Sequence, residues 1–449
     1  MRERWAAGIG GLACLVLLAS TAPGRAGIVA CDGDCAADGA VTVDDLVKAV
    51  NIALGANPLD TCTAADANGD GLVTIDEIVR AVASALDGCA TETPTTAGLV
   101  FGAEANRLHA YLPAAGFPRQ VVIPSDSDQP GSGRDINGQI CFTRGPAGQV
   151  RFIAGEDTGQ NAMNDRAGWG LFELSGVFPQ LQFEQLNHLQ PRYQAGDDDP
   201  ENYGCGFLSD GRLLTGDVGN QDGGDATGQL IIWFPPFDGV NARYCKLDVQ
   251  IATAGQIAID DQDRVYLTSA RATQQGDAGV YRYSGPFPTI DGAAGGCGRV
   301  DPVGDPLVDA DRITKELFIP AEANISTPGG LVIRPGGGFY VASVLNGVIA
   351  EYDADGQFVR RVLTASASGL PTPSGNPFGL GLASDGTLYF ADIGLHLDGG
   401  RIRPGPNLGK VRRIRFVDGA PQAPEIMSAG LNFPDGIGIF EGTTAATVP

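Results

Sequence analysis

The sequence predicts a mainly β protein, in which a six-bladed β-propeller follows a small α-helical N-terminal module. One strand–turn–strand unit recurs along most of the chain, as the blades of a propeller require. The two ends of that region carry complementary halves of a further unit. In addition, 65 glycines and 29 prolines favour many short strands joined by turns over long helices.

Residues 1–26 have the pattern of a secretory signal peptide. Arg2 and Arg4 precede an apolar run that starts at Ala6, and small residues follow it up to a cleavage point after Ala26. The run is too short to span a bilayer, and no later stretch reaches the roughly eighteen apolar residues that a spanning helix needs. We therefore expect an exported protein without a membrane span, either secreted or periplasmic.

Charge and cysteine content agree with that setting. The formal net charge of −23 predicts a surface that repels nucleic acid and anionic membranes and suits divalent cations. Eight of the nine cysteines follow the leader, and an even number in an oxidising compartment predicts disulfides.

The strongest chemical signal is a calcium-binding loop at 66–77, with the letters D-A-N-G-D-G-L-V-T-I-D-E. Oxygen donors fall at the spacing that a calcium loop uses, with glycine at the sharp turn. The predicted ligands are Asp66, Asn68, Asp70, the carbonyl of Leu72, Thr74 and Glu77. Because calcium takes six to eight oxygens at about 2.4 Å, this one segment can supply its coordination sphere, and Ca²⁺ is the predicted cofactor.

A second loop at 34–45 aligns with the first without gaps, 32 residues earlier. Its predicted ligands are Asp34, Asp38, Thr42 and Asp45. Ala36 replaces the ligand at the third position, so this loop either binds calcium more weakly or serves only as a structural mate.

Each loop leads into a helix with an apolar stripe at helical spacing. The stripes are Leu46, Val47, Val50, Ala53 and Leu54 in the first helix, and Ile78, Val79, Val82, Ala85 and Leu86 in the second. Neither half can bury its stripe alone, so we expect the two helices to pack together through them.

Four cysteines bracket this module, which we place at 31–89. They are Cys31, Cys35, Cys62 and Cys89. A fold of about sixty residues gains from disulfide staples, and four cysteines allow three pairings, so the connectivity stays open. A four-cysteine zinc site is the alternative, although no paired C-x-x-C spacing occurs.

Two loop–helix repeats without an entering helix before the first loop resemble a dockerin-type duplicated EF-hand module. The ligand positions of loop 66–77 match that family, whereas positions ten and eleven of both loops lack its small hydroxyl pair. In that family the module binds calcium and docks onto a cohesin domain, often tethering secreted polysaccharide-degrading proteins. The resemblance therefore implies calcium binding, a cohesin-like scaffold or cell-surface partner, and a role in polysaccharide utilisation.

A polar linker at 90–97 precedes the propeller region, 98–441. Copies of the strand–turn–strand unit lie at 139–155, 205–217, 255–269, 329–343 and 378–392. Four further cysteines are expected to form disulfides, with Cys205 and Cys245 on the first and outer strands of one blade. They are Cys141, Cys205, Cys245 and Cys297.

The copies predict five blades, and the ends of the region predict a sixth. The segment 432–440 reads as a first strand with no second strand after it, while 98–112 reads as later strands without a first one. Joining the two ends closes a ring and removes exposed sheet edges. A seven-bladed ring is the alternative, because 160–200 is poorly periodic.

The second-strand endings, aromatic–apolar–small–Ser/Asp after a D-G turn, resemble NHL-repeat propellers and the gluconolactonase-like group. The resemblance covers most of 138–440. It implies the propeller fold and, for the gluconolactonase-like group, a divalent cation held by acidic and amide side chains in the channel. Folds of this class also host lyases, binding proteins and scaffolds.

First-strand starts and second-strand ends are expected to gather at one mouth of the channel. The side chains placed there are Glu201, Asn202, Asp217, Asn220, Ser269, Arg271, Ser343, Asn346, Asp392, His396 and Asp435. They can hold a cation that polarises an ester or lactone carbonyl, or simply cap strand ends and bind loop backbone. His396 is the candidate base. The sequence has no G-x-S-x-G elbow, H-E-x-x-H helix or phosphate loop.

Two functions remain open at this level, and catalytic residues stay unassigned. The first is a secreted calcium-binding protein whose EF-hand module tethers or stabilises a propeller that binds an extracellular ligand such as carbohydrate. The second is a metal-dependent lactonase or esterase that works in the propeller channel. A cation with an open coordination position at the channel mouth distinguishes them.

Overall fold

A computed structural model gives the fold of this chain. It describes residues 33–36, 40–66, 71–87, 98–114, 116–125, 135–157, 168–193, 202–219, 227–237, 242–271, 277–322, 324–364 and 374–441. The leader 1–26 and the linker 90–97 lie outside these residues, as do Cys31, Asp38, Asn68, Asp70 and Cys89. No helix in the described ranges is long and apolar enough to cross a membrane.

Two helices form close to the predicted positions. They are α1 (Val43–Ala53) and α2 (Ile75–Asp87). The backbone N–H and the hydroxyl of Thr42 both donate to Asp45 Oδ2, at 3.0 and 2.7 Å. The same groups of Thr74 donate to Glu77 Oε2, at 2.8 and 3.0 Å. Each loop therefore starts its helix with a carboxylate that satisfies an otherwise unpaired N–H.

The two helices contact each other, as predicted, but most of both apolar stripes stays exposed. Ala49 and Ile52 of α1 are buried instead, against Val73 and the segment around Cys62, and Ile78 of α2 packs against the same cluster. Six stripe residues are between 37 and 80% exposed, namely Val47, Val50, Leu54, Val79, Val82 and Leu86. The covered side is tight at Gly33, because a Cβ there would lie 2.5 Å from that of Ala81 in α2.

A disulfide joins Cys35 to Cys62, with 2.01 Å between the sulfur atoms. The disulfide holds the segment before α1 against the connection between the helices, so the inner side of the module is closely packed. A cysteine in a disulfide has no thiolate to offer, so a four-cysteine zinc site is excluded.

Within the described ranges, thirty strands follow the helices. The first ten are β1 (Leu99–Glu104), β2 (Arg107–Tyr111), β3 (Arg119–Ile123), β4 (Asp135–Arg144), β5 (Val150–Asp157), β6 (Gly168–Ser175), β7 (Gln182–Leu189), β8 (Asn202–Phe207), β9 (Leu213–Gly219) and β10 (Thr227–Phe234). The next ten are β11 (Arg243–Ile251), β12 (Ile257–Ile259), β13 (Val265–Ser269), β14 (Gly279–Ser284), β15 (Arg299–Val300), β16 (Pro306–Leu307), β17 (Thr314–Pro320), β18 (Pro328–Ile333), β19 (Phe339–Ser343) and β20 (Val348–Tyr352). The last ten are β21 (Phe358–Leu363), β22 (Pro377–Leu382), β23 (Leu388–Asp392), β24 (Leu395–Asp398), β25 (Arg401–Pro404), β26 (Gly409–Ile414), β27 (Phe416–Val417), β28 (Ala420–Pro421), β29 (Glu425–Leu431) and β30 (Gly436–Phe440).

Six antiparallel sheets form the blades of a propeller, as predicted. From the inner to the outer strand, blades 1 to 6 are β30-β1-β2-β3, β4-β5-β6-β7, β8-β9-β10-β11, β12-β13-β14-β17, β18-β19-β20-β21 and β22-β23-β26-β29. Each inner strand contacts the inner strands of the two neighbouring blades, so the ring is closed. The poorly periodic stretch that favoured a seventh blade supplies β6 and β7 of blade 2.

The last strand closes the ring by completing blade 1. Strand β30 pairs with β1 from Leu99 opposite Phe440 to Ala103 opposite Gly436. This is the predicted junction of the two ends of the region, and it leaves no inner strand without a partner blade.

Blade 3 is extended by a segment that belongs in sequence to blade 4. Strand β16 pairs in parallel with β11, and β15 pairs with β16. A disulfide between Cys245 and Cys297 fastens this segment, and a second, Cys141–Cys205, joins the first strands of blades 2 and 3. The predicted strand positions of Cys205 and Cys245 are confirmed.

A buried lysine lies beneath the added segment. Lys246 Nζ is 2.7 Å from Asp301 Oδ2 and 3.0 Å from Asp305 Oδ2, and it donates to the carbonyl of Arg192 at 2.7 Å. The lysine side chain has no exposed surface. Burial raises the pKa of Asp301, but the hydrogen bonds from Lys246 and from the N–H groups of Asp305 and Val303, together with the charge of Lys246, outweigh this and hold the pKa below its usual value. The segment is thus held by ionised groups as well as by a disulfide.

Candidate functional site

One residue in or just before each inner strand lies at the same end of the channel, and we call these six residues the inner ring. They are Gly138, Tyr203, Gly255, Gly329, Phe378 and Asp435, and all but Gly138 line a common cavity. The backbones meet closely here, since a Cβ on Gly436 would collide with the carbonyl oxygen of Gly138. Asp435 Oδ2 accepts the N–H of Gly138 at 3.0 Å and so links blade 1 to blade 2.

Two aromatic side chains of the inner ring meet across the channel axis. The rings of Tyr203 and Phe378 are 4.5 Å apart between centroids, although they come from blades 3 and 6, on opposite sides. The Tyr203 hydroxyl donates to the carbonyl oxygen of Asp435 at 2.6 Å. Burial raises the pKa of Tyr203 well above its usual value, so the phenol remains a donor. Gly329 makes room, because a Cβ there would lie 2.6 Å from the Phe378 ring.

Two glutamines cross the channel next to the inner ring. Gln256 of blade 4 donates to the carbonyl of Leu380 at 2.7 Å and accepts from the N–H groups of Leu380 and Leu331 at 2.9 and 3.2 Å. Gln139 of blade 2 accepts from Cys205 and Ile257 N–H groups and donates to the Ile257 carbonyl. These amides satisfy inner-strand edges that have no further strand to pair with. The channel is therefore filled with side chains at this level.

The ends of the second strands form a second ring, outside the first. Its members are Glu104, Glu156, Asp217, Ser269, Ser343 and Asp392, and each is at most 5% exposed. Asp217 accepts from the N–H of Gly219 and from Gln229 Nε2, at 3.1 and 2.9 Å. Asp392 accepts from the N–H of Asn376 at 2.8 Å and is 3.6 Å from Arg412 Nη1. These carboxylates thus bind groups of their own blades.

Glu104 and Glu156 were missed in the sequence, although the small–acid pairs A-E at 103–104 and G-E at 155–156 could have indicated them. Glu104 Oε2 is 3.2 Å from His109 Nε2, and burial lowers the pKa of that histidine. Glu156 Oε2 accepts from Gln185 Nε2 at 2.7 Å and is 2.8 Å from His188 Nδ1. Their partners, too, belong to the same blade.

The predicted mouth residues therefore separate instead of converging. Asp435 lies in the inner ring, whereas Asp217 and Asp392 lie in the second ring, each bound by N–H donors. His396 lies on β24, where its Nδ1 is 3.0 Å from the carbonyl oxygen of Arg403. Glu201 and Asn220 are outside the described residues. No three His, Cys, Asp or Glu side chains of the described chain converge on a metal-sized site. The described residues of the mouth therefore supply Asp435 to the cavity but no converging set of ligands for the expected divalent cation.

The inner ring forms the base of a cavity of about 400 Å³ at the channel mouth. Blades 3 and 4 supply a polar side, with Arg271 and the loop residue Thr253, whose buried hydroxyl has no partner among the described residues. Blades 5 and 6 supply an apolar side that includes Leu345, Leu395 and Ile402. Mostly apolar walls with a few polar groups are typical of small-molecule sites of this size.

A hairpin stands beside the cavity. Strands β24 and β25 are inserted between the second and third strands of blade 6 and pair with each other alone. Leu395 at its base packs with Val344, Ile393 and Phe378. Because Leu395, Ile402 and Pro404 line the cavity, the hairpin forms one of its walls.

Part of loop 66–77 lies within the described residues. Asp66 Oδ2 accepts the N–H of Gly71 at 2.8 Å, and Gly71 has φ of 83°, which permits a sharp turn. Glu77, at the last position, is 2% exposed and lies 3.7 Å from Arg80. In the companion loop, the hydrogen bonds of Thr42 lower the pKa of Asp45.

Comparisons with known proteins give likeness in fold only. No protein-family profile and no curated protein matches the chain. A luciferin-regenerating enzyme superposes with a TM-score of 0.45 at 14% identity, over 76% of this chain and 96% of its own. Regucalcin from Agrobacterium tumefaciens, described as a calcium-binding protein, gives 0.40 at 15% over 68% and 85%. A gluconolactonase from Xanthomonas campestris gives 0.38 at 14% over 64% and 75%. At these values we draw no argument from them about activity.

Proposed function

We propose that this protein binds a small, largely apolar molecule in the cavity at the channel mouth. The observation that carries the proposal is the inner ring, where two aromatic rings and two glycines lie at the base of the cavity. The carboxylates around it already accept N–H groups, so the cavity offers shape and apolar contact more than charge. This cavity would serve the extracellular-ligand function that the sequence predicts.

Filling the cavity is expected to abolish binding. Ala270 lines the cavity and is only partly buried, so Ala270→Trp occupies the ligand's space without disturbing a packed core. Nile red, a neutral apolar dye, is expected to bind the full chain, and its affinity should fall at least tenfold in the variant. Fluorescence titration measures this. Ala420→Trp, in the exposed strand β28, is the matched control.

Equal dye affinity in both tryptophan variants and the wild-type chain would contradict the proposal, because the dye would then be bound elsewhere. The exposed valines of α1 and α2 are one such place, and the comparison of variants removes their contribution.

A metal-dependent lactonase or esterase is the second candidate function. It is favoured by Asp435, a carboxylate on the wall of the same cavity. Neutral aryl esters and lactones assayed with calcium and with a chelator distinguish the two. Turnover that is lost on chelation and in Asp435→Asn would make the protein a hydrolase, whereas dye binding without turnover keeps it a binding protein.

We further propose that the N-terminal module is a calcium-binding EF-hand pair of an exported protein. Support comes from the twelve-residue spacing of loop 66–77, the contact of Asp66 with Gly71 and the carboxylates that start both helices. The apolar outer faces of α1 and α2 suit a docking partner such as a cohesin-like scaffold or cell-surface protein, in the setting of polysaccharide utilisation. The disulfides suit an oxidising compartment.

Calcium binding is expected to depend on one loop far more than on the other. After removal of metal by a chelator, Asp66→Ala should weaken the tighter calcium site at least tenfold, because it removes the first ligand. Asp34→Ala, in the loop that lacks a third-position ligand, should change it less than twofold. Isothermal titration calorimetry measures both. Equal losses in the two variants would show that the loops were ranked wrongly.

A further inference from the structure

The hairpin beside the cavity has one apolar and one polar face. Leu397 pairs with Ile402 and Leu395 with Pro404, so these four side chains share a face. His396, Asp398, Arg401 and Arg403 alternate with them and form the other face. The base of the apolar face is buried against the cavity wall, but its outer half is open, with Leu397 56% and Ile402 48% exposed.

The cavity rim continues this open apolar surface. Leu345 and Phe433, which line the cavity with Ile402, are 39 and 37% exposed. Phe433 also has φ of 52°, an unfavourable backbone conformation for a residue with a side chain. Exposed apolar surface that is continuous with a cavity is a feature of binding sites. A molecule that filled only the cavity would leave the apolar surface of the rim exposed to water.

Two polar groups of the cavity lie away from this rim. Thr253 and Arg271 come from the side of blades 3 and 4, whereas the rim belongs to blade 5, to blade 6 and to the connection that follows it. Two others, Thr327 and Asp435, lie on its side but already accept the backbone N–H groups of Leu345 and Gly138. The charged groups among the described lining residues are one cation, Arg271, and one anion, Asp435. Their charges balance, which favours an uncharged, hydrogen-bonding group in the ligand.

We propose that the ligand is a neutral amphiphile, with a hydrogen-bonding head in the cavity and an aliphatic chain on the apolar face of the hairpin. This inference rests on the proposed binding function and names its ligand class. The head lies among Thr253, Arg271 and the inner ring, and the chain passes Phe433 and Ile402 to reach Leu397.

Alkyl glucosides of increasing chain length test this, because each has the same neutral head. Methyl, butyl, hexyl and octyl β-D-glucosides are titrated into the full chain by calorimetry, below the concentration at which they form micelles. Affinity is expected to rise about threefold for each methylene that is buried, a gain that ordinary apolar burial supplies. In the variant Leu397→Ser, which changes a residue outside the cavity lining, the rise from hexyl to octyl is expected to vanish, with butyl affinity within twofold of wild type.

Val417→Ser, at an exposed apolar residue of β27, is the matched control and should behave as wild type. An undiminished rise in Leu397→Ser would overturn the assignment of the hairpin. Failure of every glucoside to bind, with Nile red still lost in Ala270→Trp, would overturn the amphiphile and leave the binding function standing. If neither the glucosides nor the dye depend on the cavity, both proposals fail.

Discussion

Replacing Lys246 by methionine is expected to lower the free energy of unfolding of the propeller by about 3–5 kcal/mol. Methionine matches the aliphatic length of lysine but leaves Asp301 and Asp305 buried without their shared cation. The loss is large because the carboxylates must then be protonated or hydrated to remain inside. Guanidinium unfolding followed by tryptophan fluorescence measures it, since Trp169 and Trp233 are buried in blades 2 and 3.

The matched control is Lys315→Met. Lys315 also forms an ion pair, 2.6 Å from Asp248 Oδ2, but its side chain is 30% exposed. Water replaces the lost contact there, so the expected change is about 1 kcal/mol or less. Adding Asp301→Asn to Lys246→Met should recover part of the loss, because it removes one of the stranded charges. Equal losses at Lys246 and Lys315 would show that the buried group contributes no more than a surface ion pair.

Replacing Gln256 by leucine is expected to lower the free energy of unfolding by about 3 kcal/mol or more, because three buried polar groups lose their partner at about 1–3 kcal/mol each. The three groups are the N–H and carbonyl of Leu380 and the N–H of Leu331. They lie on inner strands in the channel, where no other strand can pair with them. The same unfolding measurement applies.

Gln262→Leu is the control for the change of side chain, because Gln262 is exposed in the turn between β12 and β13. Its effect should stay within about 0.5 kcal/mol. A loss at Gln256 as small as that at Gln262 would mean that water or backbone adjustment satisfies the inner strands, and the proposed role of the channel glutamines would be abandoned.

The blade architecture could be predicted from sequence because successive side chains of a strand point to opposite faces, so a strand has a recognisable alternating pattern. Copies such as 329–343 and 378–392 repeat the same aromatic–apolar–small ending, and β30 carries the first-strand pattern that blade 1 lacks. Six blades and their closure follow from these patterns. The pairing of the cysteines does not, because it depends on which blades are neighbours.

The residues of the channel mouth could be predicted only in part. A residue of the inner ring lies only one position along its strand from the residue that pairs with the second ring. Pro377 pairs with Asp392, and the next residue, Phe378, lies in the inner ring. In blade 1 the position of Phe378 is taken by Asp435. A single sequence shows acids near strand ends but not which of the two rings they enter, and so Asp217, Asp392 and Asp435 were grouped together.

Which faces of the helices are exposed could not be predicted from the sequence, for a related reason. Periodicity identifies an apolar stripe but not whether another segment covers it. In α1, small and aliphatic residues lie on both sides, and the disulfide segment covers the side of Ala49 rather than that of Val47. Nothing in the spacing of the valines distinguishes a core from an exposed face.

Because β30 closes the ring, the cavity at the channel mouth is completed only at the end of synthesis of the propeller. Phe433 and Asp435 immediately precede this strand, so the cavity lacks two of its walls until the last part of the propeller has been made. A chain emerging from the ribosome therefore carries blades 2 to 6 before this cavity is complete. The first blade, although its other strands are made earliest, is the last to be completed.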